Sequence, residues 1–228
     1  AHTHTLKKKK TISITMKTTF LLLLLSFLLF ALSTNPILLG ATEDVLDPVL
    51  DVAGEELQTG AGYYASPLIW AWGGGLTLAK NWNGSICPFN VVQSPFEVNN
   101  GIPLIFSPIL NKEGVVRVST DLDIMFPGAP KLCSDLPIWK IGERSFVTLG
   151  GVGGSIIDRF RIVKHNVFPA LPSYKLVFCR ARMACQNIGI FNENGIRYLA
   201  LSHEPYVVVF GKAQGSRIRK ITDGHQIY

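Results

Sequence analysis

The chain has 228 residues, 47% of them apolar, and a formal net charge of +6; it is long enough for a well-buried core, and its composition excludes a disordered polyelectrolyte. The charge invites a nucleic-acid or membrane-surface partner, but Lys7, Lys8, Lys9, Lys10 and Lys17 crowd around the start of an apolar run, and no Asp or Glu precedes Glu43. Setting those five aside leaves 17 basic against 16 acidic residues, so no nucleic-acid partner is expected.

Residues 1–15 precede a start-like Met16-Lys17 and read as an upstream extension outside the native protein. The 13-residue run FLLLLLSFLLFAL from Phe20 to Leu32 is too short for a bilayer core, which takes about 20 residues. Its basic head and apolar centre are those of a secretory signal peptide over 16–33. Cleavage is expected after Ser33, with 34–44 a candidate propeptide, or as late as Ala41. After cleavage nothing remains to hold a membrane, and the mature protein is expected to be secreted.

From Val49 onward the pattern is of short strands and turns. Between Val116 and Phe126, Val116, Val118, Leu122, Ile124 and Phe126 alternate with Arg117, Ser119, Asp121, Asp123 and Met125, the period-2 signature of a half-buried strand. Similar β-branched or aromatic runs are LTLA at 76, FRIVK at 160, YKLVFC at 174, IRYLAL at 196 and YVVVF at 206. Between them stand the turn-forming clusters Asn99-Asn100-Gly101, Lys112-Glu113-Gly114, Pro127-Gly128-Ala129-Pro130 and Asn192-Glu193-Asn194-Gly195. Many short strands imply an all-β closed sheet, sandwich or barrel. No clean internal repeat and no linker divides the region, so one domain is expected over 45–210. Residues 211–228 carry Lys212, Arg217, Arg219 and Lys220 without apolar pattern and read as a mobile tail.

Four cysteines follow the apolar run: Cys87, Cys133, Cys179 and Cys185. In an oxidising compartment they read as two disulfides, with three pairings open. A zinc site would want close-set Cys or His pairs, which are absent, so no metal is expected. The secretory route also makes Asn83-Gly84-Ser85 a glycosylation acceptor at Asn83.

Catalytic chemistry is not in view. There is no G-x-S-x-G and no H-E-x-x-H, and only His165, His203 and His225 lie beyond the signal segment. The run Gly150-Gly151-Val152-Gly153-Gly154 lacks the Lys-Ser/Thr of a phosphate loop and reads as a flexible connection. Asp121 and Asp123 read as the solvated face of one strand, and Trp70, Trp72, Trp82 and Trp139 as packing residues. The chain is therefore expected to be no enzyme and to need no cofactor.

At Val49 the chain reads VLDVAGEELQTGAGYYAS, and this resembles the opening signature of the Kunitz-type soybean trypsin inhibitor family through Val49, Asp51, Gly54, Glu55, Leu57 and Tyr63. GGGLTLA at 73, CPFNVVQS at 87, the Ser-Pro pair at 107, GVVRVSTDLDI at 114, YKLVFC at 174 and the stretch from IGI to Ser202 follow in family order, and the phrasing at 114 is similar to the miraculin-like branch. The resemblance implies a β-trefoil of twelve strands with pseudo-threefold symmetry, and disulfides Cys87–Cys133 and Cys179–Cys185.

It further implies that an exposed loop inside the first disulfide's span enters a protease cleft as a substrate would: Ser107-Pro108-Ile109-Leu110-Asn111-Lys112-Glu113. Counted from the Ser-Pro pair, Leu110 takes the primary-pocket position and Leu110–Asn111 is the reactive bond. Leu suits an apolar pocket and cannot satisfy the buried Asp that selects Lys or Arg in trypsin; Lys112 would serve only with the register slipped by two. Thr59 stands where inhibitory members carry a loop-bracing Asn, and Ala53 and Ala65 also depart from the signature. The short loop between the last two cysteines offers Arg180 and Arg182 as a second, trypsin-compatible contact.

The expected function is inhibition of a serine endopeptidase with an apolar primary pocket, by a monomer. The alternative is a storage or wound-responsive defence protein with weak or no inhibition; carbohydrate binding rests on fold analogy alone. Asn35-Pro36-Ile37-Leu38 is similar to a vacuolar sorting element of some relatives, so the vacuole is the other expected destination.

Overall fold

The computed structural model describes residues 20–28, 46–110, 114–133, 136–155 and 158–213. Residues 20–28, from the apolar run, form an exposed helix. A separate compact unit begins at Leu46. Among the described residues no helix is long and apolar enough to cross a membrane. The extension over 1–15, both cleavage positions, the 34–44 segment and residues 214–228 lie outside the described residues.

Twelve strands follow: β1 (Gly62–Pro67), β2 (Leu76–Ala79), β3 (Asn90–Gln93), β4 (Leu104–Pro108), β5 (Leu122–Met125), β6 (Trp139–Ile141), β7 (Val147–Leu149), β8 (Asp158–Lys164), β9 (Tyr174–Arg180), β10 (Gln186–Glu193), β11 (Ile196–Ser202) and β12 (Val207–Lys212). Six of them close a ring. β1 pairs with β4, β4 with β5, β5 with β8, β8 with β9, β9 with β12, and β12 returns to β1, every pair antiparallel. The other six form three hairpins, β2–β3, β6–β7 and β10–β11, which meet through β3–β7 and β3–β11 pairing and a Phe146–Ala200 bridge. Each consecutive quartet thus repeats one plan: its outer strands join the ring and its inner strands make a hairpin. The threefold plan exists in the hydrogen bonding although the sequence shows no clean repeat.

Alternation explains the ring. In β4, Leu104, Phe106 and Pro108 are buried while Ile105 and Ser107 are half-exposed; β5 repeats this with Leu122 and Ile124. Phe106 meets Phe210 edge-on at 5.2 Å between centroids, and Trp139 meets Phe160 edge-on at 5.8 Å. Burying each such side chain contributes about 1.5–3 kcal/mol. In the hairpins the rule lapses: β3 is buried at all four positions, since hairpins and ring cover both of its faces. A Cβ on Gly75 would collide with the carbonyl of Asn100, and one on Gly151 with that of Trp139. The glycine runs are close-approach sites, which corrects the reading of 150–154 as merely a flexible connection.

Two further expectations change. The single strand read over Val116–Phe126 is interrupted at Ser119, which adopts φ 59° and donates its N–H to Ile162 O at 2.7 Å; only Leu122–Met125 belongs to the ring. The strand at the end of the domain runs past Phe210, because Gly211 and Lys212 complete the ladder to Tyr64 and Tyr63, so the segment read as tail does not begin at 211.

Both disulfides form, Cys87–Cys133 and Cys179–Cys185. On the chain-entropy account the longer closure contributes roughly 4 kcal/mol and the shorter roughly 2 kcal/mol. The three hairpin connections also converge on one side chain. Arg144, from the β6–β7 turn, makes paired hydrogen bonds at 2.7 and 2.8 Å to Glu193 at the end of β10. Its guanidinium also lies over Trp82, from the β2–β3 connection, at 5.1 Å and over Phe146 at 5.2 Å. Arg144 adopts φ 54° and Ser145 φ 62° to make this reach, a conformation disfavoured for residues with a Cβ.

The hydrogen bonds from Arg144 hold the Glu193 carboxyl below its ordinary value. A depressed carboxylate stabilises the fold above its unfolded pKa, near 4.3, and that contribution is lost as pH falls through the lower folded value. Thermal melts of Glu193→Gln beside wild type should differ at pH 7 and converge below about pH 3. Reducing and alkylating only Cys179–Cys185 should lower the urea-derived stability by roughly 2 kcal/mol.

Candidate functional site

The turn of chain between β4 and β5 is held between two rails. The first is the end of β4. Pro108 pairs with Leu122 and Ser107 with Asp123, and the Ile109 N–H donates to Asp121 O at 3.0 Å. Beyond that bond Leu110 stands 82% exposed. Ser107 and Ile109 are half-buried and Pro108 is buried, so Leu110 alone of these four presents its whole side chain to solvent. Asn111, Lys112 and Glu113, and with them the second residue of the expected reactive bond, lie outside the described residues.

The second rail is the segment before β1. Thr59 N–H donates to Gly114 O at 2.9 Å, Val116 N–H to Leu57 O at 2.8 Å, Val49 N–H to Val116 O at 2.9 Å and Val118 N–H to Asp47 O at 2.9 Å. The descending limb of the loop is thereby laid against residues 47–59. That segment is itself built by the residues of the opening signature. Val49 and Leu57 are fully buried. Asp51, 3% exposed, accepts from the N–H groups of Ala53 and Glu55 through Oδ1, and Gly54 supplies φ 80° within that turn, where only glycine is unstrained. The Tyr63 hydroxyl accepts the Gln58 N–H at 2.9 Å, and the Tyr174 hydroxyl accepts the Leu50 N–H at 2.8 Å. Burial raises the Tyr174 pKa, opposed by that hydrogen bond. Thr59 enters the frame through its backbone N–H.

Asp121 is not on a solvated face, contrary to the sequence reading. Its side chain is 9% exposed, with Arg159 Nη1 at 2.6 Å from Oδ2 and Arg161 Nε at 2.5 Å from Oδ1. Asp123 accepts the Gly154 N–H at 2.7 Å. Asp121 is held by two arginines of β8 and Asp123 by a backbone N–H of the β7–β8 connection, partners that alternation alone did not reveal. Their one sequence signal was the pair of arginines at 159 and 161, on one face of a predicted strand.

The β9–β10 connection, closed by Cys179–Cys185, carries Arg180 and Arg182 on exposed backbone, with Arg182 at φ 64° and the Arg180 guanidinium 5.8 Å from the Phe178 ring centre. Asn83 is exposed in a turn, its Oδ1 accepting the Ser85 N–H at 2.9 Å. Trp139 is core, whereas Trp72 and Trp82 are exposed. Among the described residues no group of His, Cys, Asp and Glu could hold a metal ion.

A family model described as trypsin and protease inhibitor, of the legume Kunitz type, matches residues 49–212. The chain belongs to the plant Kunitz inhibitor family. This Kunitz chain is 40% identical over 204 residues to miraculin of Synsepalum dulcificum, covering 81% of this chain and 91% of that one, which places it in the miraculin-like branch. It is 35% identical over 188 residues to Kunitz trypsin inhibitor 5 of Arabidopsis thaliana, covering 75% and 89%, and 35% identical over 182 residues to an α-amylase/subtilisin inhibitor of Oryza sativa subsp. japonica, covering 74% and 86%. Among solved structures, alocasin, a protease inhibitor from giant taro, aligns with TM-score 0.65 at 36% identity, covering 73% of this chain and 99% of that one. Soybean trypsin inhibitor in complex with porcine pancreatic trypsin aligns with TM-score 0.63 at 30% identity, covering 73% and 99%.

The signature residues of this Kunitz chain are therefore scaffold for the second rail. Tyr63→Phe removes the acceptor of the Gln58 N–H within a packed site, and leaving that group unpaired should cost about 1–3 kcal/mol. Urea titration should show a lower midpoint at an unchanged slope.

Proposed function

We propose that the chain is a protease inhibitor whose β4–β5 loop blocks a serine endopeptidase with an apolar primary pocket, Leu110 filling that pocket. The observation that carries the reading is the exposure of Leu110 on a loop pinned at both ends. A loop already held in its bound shape loses little ordering entropy on association, and an interface of about 1,600 Å² is enough for tight binding. Leucine gains by desolvation in an apolar pocket and offers nothing to the carboxylate of a trypsin-like one. The twelve-strand ring and hairpin cap, repeating one plan three times, support the β-trefoil reading with pseudo-threefold symmetry.

The remaining assignments belong to the same proposal. The inhibitor domain occupies 45–210 with the short extension of its last strand, acts as a monomer, and is no enzyme. The signal segment directs it out of the cell, or to the vacuole if Asn35-Pro36-Ile37-Leu38 survives processing, with Asn83 as a glycan site. Arg180 and Arg182 form a second loop compatible with a basic-specific protease. The alternative of a storage or defence protein without tight inhibition draws on the non-basic Leu110 and on Thr59 at the family's bracing position.

Titration of the oxidised mature protein against chymotrypsin, subtilisin and trypsin should show tight inhibition of the first two. Leu110→Arg should move preference toward trypsin, and Leu110→Gly should weaken inhibition of the apolar-pocket enzymes by 10-fold or more, about 1.4 kcal/mol. Unchanged inhibition by Leu110→Gly excludes this loop; no inhibition of any of the three selects the alternative.

A further inference from the structure

We propose that Asp121, held by Arg159 and Arg161, is a positioning residue that fixes the stem of the inhibitory loop to the barrel; this rests on the loop assignment above. Asp121 has two jobs at one position. Its backbone carbonyl accepts the Ile109 N–H, the bond that closes the stem directly beneath Leu110. Its carboxylate is divided between two guanidinium groups, Oδ2 to Arg159 and Oδ1 to Arg161. Carbonyl and carboxylate belong to one residue, so fixing the side chain limits how far the carbonyl can swing.

The two arginines are two residues apart on β8 and so share one face of that strand. β8 is paired with β9 along its whole length, from Asp158–Arg180 to Lys164–Tyr174. Asp121 itself precedes β5, whose described contact with β8 is the single pair Leu122–Phe160. The limb that enters β5 is therefore joined to β8 by little regular pairing, and the carboxylate fork supplies a further attachment there. Ser119 N–H, donating to Ile162 O at 2.7 Å, ties the same limb to β8 two residues earlier.

Charge-assisted, two-armed pairing is stronger and more directional than a neutral hydrogen bond. The arginines are 23% and 32% exposed and the aspartate 9%, so water competes poorly for the carboxylate. Loss of the carboxylate also leaves two cations on neighbouring same-face positions of β8 without their counter-charge, removing the attraction between strand and stem. The consequence is confined to the stem: Leu110 remains chemically unchanged while its backbone becomes free to leave the substrate-like shape.

The test compares Asp121→Asn, Arg159→Gln and Glu193→Gln with wild type, the last as a destabilised control remote from the loop in the hydrogen-bond pattern. Three quantities are read on oxidised protein: amide exchange at Ile109, inhibition of subtilisin, and the rate at which subtilisin cleaves the loop. Asp121→Asn should speed Ile109 exchange by 10-fold or more, raise the inhibition constant by a similar factor and accelerate cleavage. Arg159→Gln, which leaves one arm, should fall between it and wild type, and Glu193→Gln should leave all three within twofold. Ile109 exchange in Asp121→Asn within twofold of wild type overturns the proposal, as does an increase matched by Glu193→Gln. The exchange measurement needs no protease. A wild-type chain that inhibits nothing would therefore remove the functional reading while the clamp itself is still decided.

Discussion

Everything the loop can do depends on the closure of the ring through β12, which pairs with β1 on one side and β9 on the other. An open sheet would leave two strand edges with unpaired backbone groups. Closure removes them and turns six short strands into one rigid body around Phe106, Phe160, Tyr174 and Phe210. It also explains why ring strands of four to seven residues suffice: each is paired on both sides. The connections then extend from a frame that cannot shear. The β4–β5 connection inherits that rigidity through its two rails and its ties to β8, since it contributes little pairing of its own.

The hairpin cap solves a different problem. A ring closed at its sides is still open at its ends, and the end facing the hairpins is covered by them, with β3 and β7 buried throughout. β3 and β7 consequently carry Asn90, Gln93 and Thr148 among buried residues. Arg144 sits where connections from all three quartets meet, bonded to one and stacked on others. Its strained backbone is the cost of placing a single guanidinium against Trp82, Phe146 and Glu193 at once. A cation among aromatic rings and paired with a carboxylate is better held there than either contact alone would make it.

Part of the ring was legible because half-buried strands announce themselves by alternation, as at LDIM in β5 and FRIVK in β8. The hairpin strands β3 and β7 were not, being four and three residues long and buried throughout so that no alternation remains, and β6 has only three residues. Threefold repetition was invisible for a related reason: the quartets share a hydrogen-bonding plan, and many different apolar residues satisfy the same burial. At the loop, the family resemblance pointed to Leu110, whose side chain is exposed, while the reading of Asp121 as solvated does not hold. Alternation reports which side of a strand a residue occupies; it does not report that the neighbouring strand brings two arginines to that side.

The division of labour within the signature has a chemical consequence. Val49, Asp51, Gly54, Leu57 and Tyr63 are consumed in shaping the second rail, while Leu110 stands exposed on the loop. The residue that would meet a protease is thus physically uncoupled from the residues that hold it. Replacing Leu110 alters what the pocket of a partner receives while every rail contact, being backbone or buried, is preserved. Replacing a rail residue does the reverse: it leaves the pocket contact chemically intact and restores the ordering entropy that binding must then overcome. On the proposed inhibitory reading, the exposed residue decides which pocket is filled and how well, and the buried ones decide how much ordering entropy binding must overcome.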